Sequence, residues 1–213
     1  MKIAILIGVV ILGVVSLGWV IHHRSVLHMT PILRRLAAEK NGTVESPSLF
    51  LMPKLRFLHS GTEVELSNAS TGIDGESTRY TYASFAGLDS KSFEFRIRPR
   101  SLQTIGDKWL GLKKPMSTGV DKLDKRLVIY TNNDPLMEAV LSDHIQADLL
   151  SWADQKTDIR ISDIRNYGDN MIFAVTGTLK NYEEYKLLLE TACRFYDAVT
   201  NVASNYSKVL TDI

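Results

Sequence analysis

The sequence predicts an α+β protein in which one N-terminal transmembrane helix precedes a soluble domain. Three observations support this prediction. Residues 3–21 read IAILIGVVILGVVSLGWVI and contain no charged side chain. Between residues 48 and 100, several segments alternate apolar and polar side chains, as antiparallel strands with one solvated face do. A β-α-β-β-α pattern follows this strand meander, and strands grouped ahead of helices are typical of the α+β class.

The apolar run from Ile3 to Ile21 has the length of a membrane span. At 1.5 Å per residue it would cover about 28 Å, close to the roughly 30 Å hydrocarbon core of a bilayer. Thirteen of its residues are Ile, Leu or Val. A cleaved signal peptide is the alternative, with Ser16-Leu17-Gly18 at a plausible cleavage spacing. The run exceeds the usual 7–15 apolar residues of a signal peptide, so we expect the anchor to be retained.

Positive charge flanks the predicted anchor mainly on its C-terminal side. Arg24, Arg34, Arg35 and Lys40 follow the run, whereas Lys2 is the only basic side chain before it. Because basic flanks tend to stay inside, this bias favours a soluble domain on the cytoplasmic side. The expected topology is therefore that of a single-pass membrane protein.

Length and composition restrict the rest of the chain. We assign residues 1–25 to the anchor and 26–213 to one soluble α+β domain, which could be subdivided near 101–124. The formal net charge is +1, whereas dedicated nucleic-acid binders carry a clear basic excess, so we expect no nucleic-acid partner. Cys193 is the only cysteine, which excludes an internal disulfide or a CxxC pair. No cofactor is expected.

The first half of the soluble domain predicts one short helix and four strands. Thr30 would cap a helix that begins at Pro31 and ends at Asn41-Gly42. Ser60-Gly61 is a two-residue hairpin signal. In the fourth strand, Phe93, Phe95 and Ile97 should point inward. The four predicted strands are residues 55–59, 62–66, 79–85 and 93–98, and residues 101–124 should form a long connection.

The second half should contain the β-α-β-β-α segment. We expect a strand over residues 126–131 and one helix from Pro135 to about Trp152, with Asn133 or Asp134 as its cap. A hairpin should turn at residues 167–170. The final helix should run over residues 182–206 and bury one stripe against the sheet, although the stripe could instead bind a partner. The stripe consists of Tyr185, Leu188, Ala192, Phe195, Val199, Val202 and Tyr206.

The segment TGVDKLDKRLVIYTNND, from Thr118 to Asp134, is followed by the predicted helix, hairpin and final helix. This arrangement resembles a pattern in uncharacterised bacterial single-pass membrane proteins. The resemblance covers the C-terminal part of the chain. It implies an α+β architecture and a bacterial origin, but no activity and no site residues.

Charge is distributed unevenly along the soluble domain. Residues 91–126 contain ten basic and four acidic side chains, whereas residues 127–213 contain seven basic and thirteen acidic ones. The inward side chains of the fourth strand would force its arginines outward together. The candidates for a surface that binds anionic lipid or an acidic partner are Arg96, Arg98, Arg100, Lys113 and Lys114. The alternative is an ordinary solvated sheet face.

His144 and Asp148 are the weak candidates for acid–base chemistry. They lie one helical turn apart, so the carboxylate could orient the imidazole. The alternative is a pair that satisfies itself at the edge of the core. The sequence contains no GxGxxG, Walker, GxSxG or HExxH pattern, so no catalytic or metal site is assigned.

These observations predict a membrane-tethered interaction, scaffold or accessory domain. Its expected partners are the bilayer, through residues 3–21, and either another protein or an anionic lipid surface. The alternative is a membrane-associated enzyme whose site is assembled from distant residues. The sequence favours the non-enzymatic hypothesis, because it contains no catalytic motif.

Overall fold

A computed structural model describes residues 16, 23–45, 52–73, 76–87, 93–100, 115–154, 159–168, 170–177 and 179–211. For residues 70–73, 76–77, 154 and 207–211 only the backbone is considered. The helices are α1 (23–40), α2 (Asp121–Arg126), α3 (Asp134–Val140), α4 (Asp143–Asp154) and α5 (Tyr182–Thr211). The strands are β1 (Thr43–Glu45), β2 (Lys54–His59), β3 (Thr62–Ile73), β4 (Glu76–Ala86), β5 (Phe95–Pro99), β6 (Leu127–Thr131), β7 (Arg160–Tyr167) and β8 (Asn170–Thr176).

The strands form one antiparallel sheet in the order β1-β2-β3-β4-β8-β7-β5-β6. This confirms the α+β class and the antiparallel pairing, but the predicted meander is wrong beyond β4. β8 pairs with β4 over Tyr80–Ala86, and β7 then separates β8 from β5. The C-terminal hairpin therefore lies in the middle of the sheet. An alternating strand fits equally well beside several partners, so the alternation alone could not reveal this order.

The β2–β3 hairpin forms as predicted. Ser60 has φ +50° and Gly61 has φ +81°, the left-handed values that a two-residue hairpin turn requires. The turn pairs Phe57 with Val64 and Leu55 with Leu66. All four of these apolar side chains are buried, so the strand alternation sets one core face and one polar face.

Helix α1 begins earlier than expected, so the predicted cap at Thr30 is wrong. The described helix already starts at residue 23, and the Thr30 hydroxyl donates to the Val26 carbonyl oxygen at 2.7 Å. Pro31 therefore lies inside the helix, where it has no backbone N–H to donate. Burial of Met29 and Leu33 on the core side offsets that lost hydrogen bond. The predicted end is confirmed. A Cβ atom at Gly42 would lie 2.5 Å from the Arg56 carbonyl oxygen, so the exit from α1 needs glycine.

Two helical predictions of the second half need correction. The expected single helix over 135–152 is two helices, α3 and α4, separated at Leu141-Ser142. The Asn133 side chain caps α3 by accepting from the Leu136 amide at 3.2 Å. The break lets both helices bury apolar side chains, Met137 on α3 and Trp152 on α4 among them. α2 was not predicted, because it lies within the segment interpreted as a connection.

The core lies between the sheet and the helices on one of its faces. Phe195 of α5 is 1% exposed, and its ring contacts those of Phe95 and Phe173 edge-on at 5.8 and 6.1 Å. The predicted stripe of α5 is buried from Tyr185 to Val199. Packing of this stripe on the domain's own sheet is therefore confirmed for most of its length.

Candidate functional site

The contact between α1 and α5 is the first candidate site, because α1 follows the predicted anchor directly. Met29, Leu33, Leu36 and Ala37 recur at helical spacing and are buried in the hydrophobic core. That spacing places them on one side of α1. The helix nearest to the anchor is thus part of the folded domain and not a free linker.

A polar cluster joins the exposed sides of the two helices. We call Arg35, Glu39, Tyr182 and Lys186 the junction cluster. The Arg35 guanidinium lies 3.6 Å from the centre of the Tyr182 ring, and the Tyr182 hydroxyl donates a short hydrogen bond to the Glu39 carboxylate. Lys186 Nζ lies 3.8 Å from the same carboxylate. Cation–π and charge-assisted contacts therefore converge where α1 meets α5.

These contacts shift the ionisation of the cluster. The hydrogen bond from Tyr182 lowers the pKa of Glu39, with help from the charges of Lys186 and Arg35. The same hydrogen bond raises the pKa of the Tyr182 hydroxyl. Nearby Tyr182 and Glu39 raise the pKa of Lys186. At neutral pH the cluster therefore consists of a carboxylate held by a phenol and two cations.

The junction cluster also fixes the relative direction of the helices. Arg35 contacts the first residue of α5, Tyr182, and Glu39, one turn later, contacts both Tyr182 and Lys186. The charge of Lys40, at the end of α1, reaches Cys193, two turns beyond Lys186. The two helices therefore run in the same sense at this contact. The N-terminal end of α1, where the predicted anchor would continue, lies on the side of the domain where α5 starts.

The second candidate site is the sheet face that α5 does not cover. Glu65 accepts hydrogen bonds there from Lys54 Nζ at 2.9 Å, Arg56 Nη2 at 3.0 Å and the Tyr82 hydroxyl at 3.1 Å. Burial acts to raise the pKa of Glu65, but the hydrogen bonds from Lys54 and Arg56 outweigh it, and the pKa lies below its usual value. Burial raises the pKa of Tyr82. This network was missed, although Arg56 and Glu65 are paired by the hairpin register.

A second carboxylate lies on the same face between two arginines. Arg96 donates to Asp163 through Nε at 2.7 Å and Nη2 at 3.1 Å, and Arg165 Nη1 is 3.4 Å from Asp163. Arg96 and Arg165 are directly opposite each other on β5 and β7, where like charges would repel. Asp163 offsets that repulsion. The charge of the candidate Arg96 is therefore largely compensated within the sheet.

The other candidates for an anionic-binding surface are distributed differently. Arg98 extends from β5 on the same face as Arg96, since alternate residues of a strand share a face. Arg100 lies beyond the end of β5, is exposed, and donates through Nε to the Asp124 carbonyl oxygen at 2.7 Å. Lys113 and Lys114 lie outside the described residues. The structure therefore places Arg96 with Arg98 and puts Arg100 at an end of the sheet.

His144 and Asp148 lie on α4 but are not a close pair. His144 Nε2 is 3.9 Å from Asp148 Oδ2, and 71% of the His144 side chain is exposed. Arg194 of α5 holds Asp148 instead, with Nε at 2.9 Å and Nη2 at 3.2 Å from its two oxygens. Asp148 thus serves the contact between α4 and α5. Within the described ranges, no group of three or more His, Cys, Asp or Glu residues could hold a metal ion.

A thiol and a histidine–aspartate pair are further titratable groups on or near α5. Cys193 is buried, and burial raises the pKa of its thiol to about 12, so it remains protonated and unreactive at neutral pH. His59 Nε2 lies 2.8 Å from Asp197 Oδ1. This contact fastens the β2–β3 turn to α5. Sequence reasoning missed it because the two residues are far apart in the chain.

Comparisons with known proteins identify no family for this chain. No family model matches it, and no curated protein matches it. It is similar in structure to the mycobacterial trehalose monomycolate transport factor A, TtfA, with 14% sequence identity, coverage of 79% of this chain and 82% of that chain, and a TM-score of 0.40. A likeness at this level assigns no function to the chain.

Proposed function

We propose that this protein is a membrane-tethered interaction domain that serves as a scaffold or accessory subunit. The observation that carries the proposal is the direct packing of α1 into the domain. Leu33 and Leu36 are completely buried, and the junction cluster joins α1 to α5. An anchor continuous with α1 would therefore hold the domain at a defined position relative to the membrane, whereas a flexible linker would not.

The anchor itself is a proposal that rests on the sequence. The run from Ile3 to Ile21 lies outside the described residues, apart from Ser16, which is helical. None of the helices in the described part of the chain has the length and apolar composition that a bilayer crossing requires. The uncharged run supports retention in a bacterial inner membrane, and the basic flank supports a cytoplasmic domain.

Retention of the anchor can be tested with two charges at its centre. Each change of Val10→Lys or Val14→Lys should disfavour insertion by about 3–4 kcal/mol, and thirteen Ile, Leu and Val residues together contribute only about −4 to −8 kcal/mol. The unaltered chain should stay in carbonate-washed membranes, and the double lysine variant should be released. A Val10→Leu/Val14→Leu control should behave like the unaltered chain.

Intact-mass measurement of the membrane fraction completes this test. We expect the full chain beginning at its first residues. Loss of the unaltered chain to the soluble fraction, or a mature chain that begins near Trp19, would contradict the tether and with it the proposed function.

The end of α5 offers a surface for a protein partner. Val199 is fully buried and Val202 is partly buried, but Tyr206 of the same stripe is 44% exposed, although the helix continues to Thr211. The sequence repeats the spacing at Val209. Because the start of α5 lies near the anchor, its other end points away from the membrane. Two chains tethered in one bilayer would therefore present these ends in parallel.

We infer that the partner at this end of α5 is a second copy of the chain. A contact around Tyr206 would bury far less than the roughly 1,000 Å² of a stable interface, so pairing should depend on the high effective concentration in a membrane. In a Cys193→Ala background, oxidation should crosslink Tyr206→Cys several-fold more than Ser204→Cys, an exposed position outside the stripe. Equal crosslinking at both positions would contradict self-association.

A further inference from the structure

We propose that the end of the domain next to the predicted anchor docks onto anionic lipid headgroups and so fixes the orientation of the domain on the membrane. This inference rests on the proposed tether. The observation that supports it is the distribution of charged side chains along the shared direction of α1 and α5. Formal net charge is only +1 for the whole chain, yet the two ends of the described fold differ in sign.

Several strand ends meet where α5 starts, and this end of the fold is basic. Arg160 pairs with Thr176 at the end of β8, and the Gly177 amide donates to the Arg79 carbonyl oxygen at 3.0 Å. Lys180 precedes α5 by two residues. We define the basic end by its exposed side chains, which are Arg24, Arg34, Arg35, Arg79, Arg100, Arg160 and Lys180.

Acidic side chains compensate only part of this charge. Glu39 lies 3.9 Å from Arg35, Glu183 and Glu184 lie in the first turn of α5, and Glu184 accepts from the Lys180 amide. α2, beside Arg100, adds two aspartates but also three basic residues. The exposed or half-exposed acidic residues of the opposite end are Glu63, Glu94, Asp134 and Asp197. The fold is therefore a charge dipole whose positive end points toward the anchor.

The distances allow electrostatic contact with a bilayer. Residue 23 and Arg35 are twelve residues apart on α1, or about 18 Å, and headgroups occupy roughly 5–7 Å of that height. The remaining roughly 11–13 Å exceeds the Debye length of about 8 Å at physiological salt by only a few ångströms. Each basic residue that reaches an anionic surface changes the docking equilibrium by about five-fold. A modest tilt of α1 would bring several of them within reach.

Quenching of a fluorophore by a lipid-borne quencher tests the docking in the full chain in nanodiscs. Cys193 is buried, so an introduced cysteine can be labelled selectively. Thr78→Cys places the label beside Arg79, and the exposed Asn170→Cys places a control label at the opposite end. With anionic lipid, the Thr78 label should be quenched several-fold more than the Asn170 label. Neutral lipid or 1 M salt should lower the quenching of the Thr78 label, although the tether still holds that label nearer to the bilayer than the Asn170 label.

Charge removal gives the second arm of the experiment. Arg79→Ala/Arg160→Ala should weaken docking by about 25-fold, from two five-fold factors, whereas Lys40→Ala, at the end of α1 farther from the predicted anchor, should change it little. Equal quenching in neutral and anionic nanodiscs would overturn the docking proposal while leaving the tether intact. Failure of the unaltered chain to remain in carbonate-washed membranes would overturn the tether, and the docking with it.

Discussion

Replacement of Phe195 by aspartate should abolish the folded state of the domain. Phe195 is 1% exposed and lies against the rings of Phe95 and Phe173. Loss of a buried phenylalanine side chain alone costs about 3–5 kcal/mol, and an unpaired buried carboxylate adds a further desolvation penalty. Because a domain of this size is stable by only about 5–15 kcal/mol, the sum reaches the whole stability.

The experiment needs a fragment that contains all of the core. Met29 is 2% exposed, so the fragment should begin at residue 23 and extend to residue 213. Near-ultraviolet circular dichroism and thermal unfolding should show a cooperative transition for the parent fragment and none for Phe195→Asp. The matched control is Leu187→Asp, on the same helix but 42% exposed, which should remain folded. An unaltered melting temperature for Phe195→Asp would contradict the described packing of α5.

Local signals predicted the elements of this fold better than their arrangement. Ser60-Gly61 determined a hairpin because two adjacent residues adopt left-handed backbone values. The spacing of the α5 stripe was sufficient to identify a helix and its buried side. The pairing of β4 with β8 depends on residues 80–86 and 170–176, which are distant in sequence. No local property of either strand specifies that partner, so the meander prediction failed there.

A β-bulge in strand β7 changes which face of the sheet a side chain occupies, and the sequence pattern does not reveal the bulge. Ile161 pairs with Val175, but Asp163 pairs with the preceding residue, Ala174, so Ser162 is the extra residue of the bulge. Without it, strict alternation would place Ile161 and Asp163 on the same face. The bulge moves Asp163 to the polar face. The sequence alone could therefore not predict that Asp163 would meet Arg96.

For the candidate site, the sequence predicted only which side chains point away from the core. The alternation of Phe95, Arg96 and Ile97 correctly predicted which of them leave the core. The partner of Arg96 lies 67 residues further along the chain. Tyr182 lies 143 residues from its partner Glu39, so the junction of α1 with α5 could not be predicted either. Electrostatic partners that tertiary structure brings together have no spacing pattern. The prediction of a basic surface therefore counted the charge of Arg96 as free to bind a ligand, whereas Asp163 compensates it.

The second large effect should come from removal of the Asp163 carboxylate. The side chains of Arg96 and Asp163 are 21% and 17% exposed, so neither is fully solvated. Asp163→Ala would leave Arg96 and Arg165 facing each other without a counter-charge. Breaking a buried pair costs about 3–5 kcal/mol, and the remaining exposure reduces this, so we expect a loss of roughly 2–4 kcal/mol in the free energy of unfolding.

Urea unfolding of the fragment 23–213 at low salt measures this loss, and two further variants identify its cause. Arg165→Ala should cost less than about 1 kcal/mol, because Arg165 is 42% exposed and Arg96 retains its carboxylate. Arg96→Met/Asp163→Leu removes both charges of the bidentate pair and should recover most of the stability lost in Asp163→Ala. If the double variant is instead as unstable as Asp163→Ala, the loss comes from packing and not from an uncompensated arginine. Stability unchanged in Asp163→Ala would show that solvent alone satisfies both arginines.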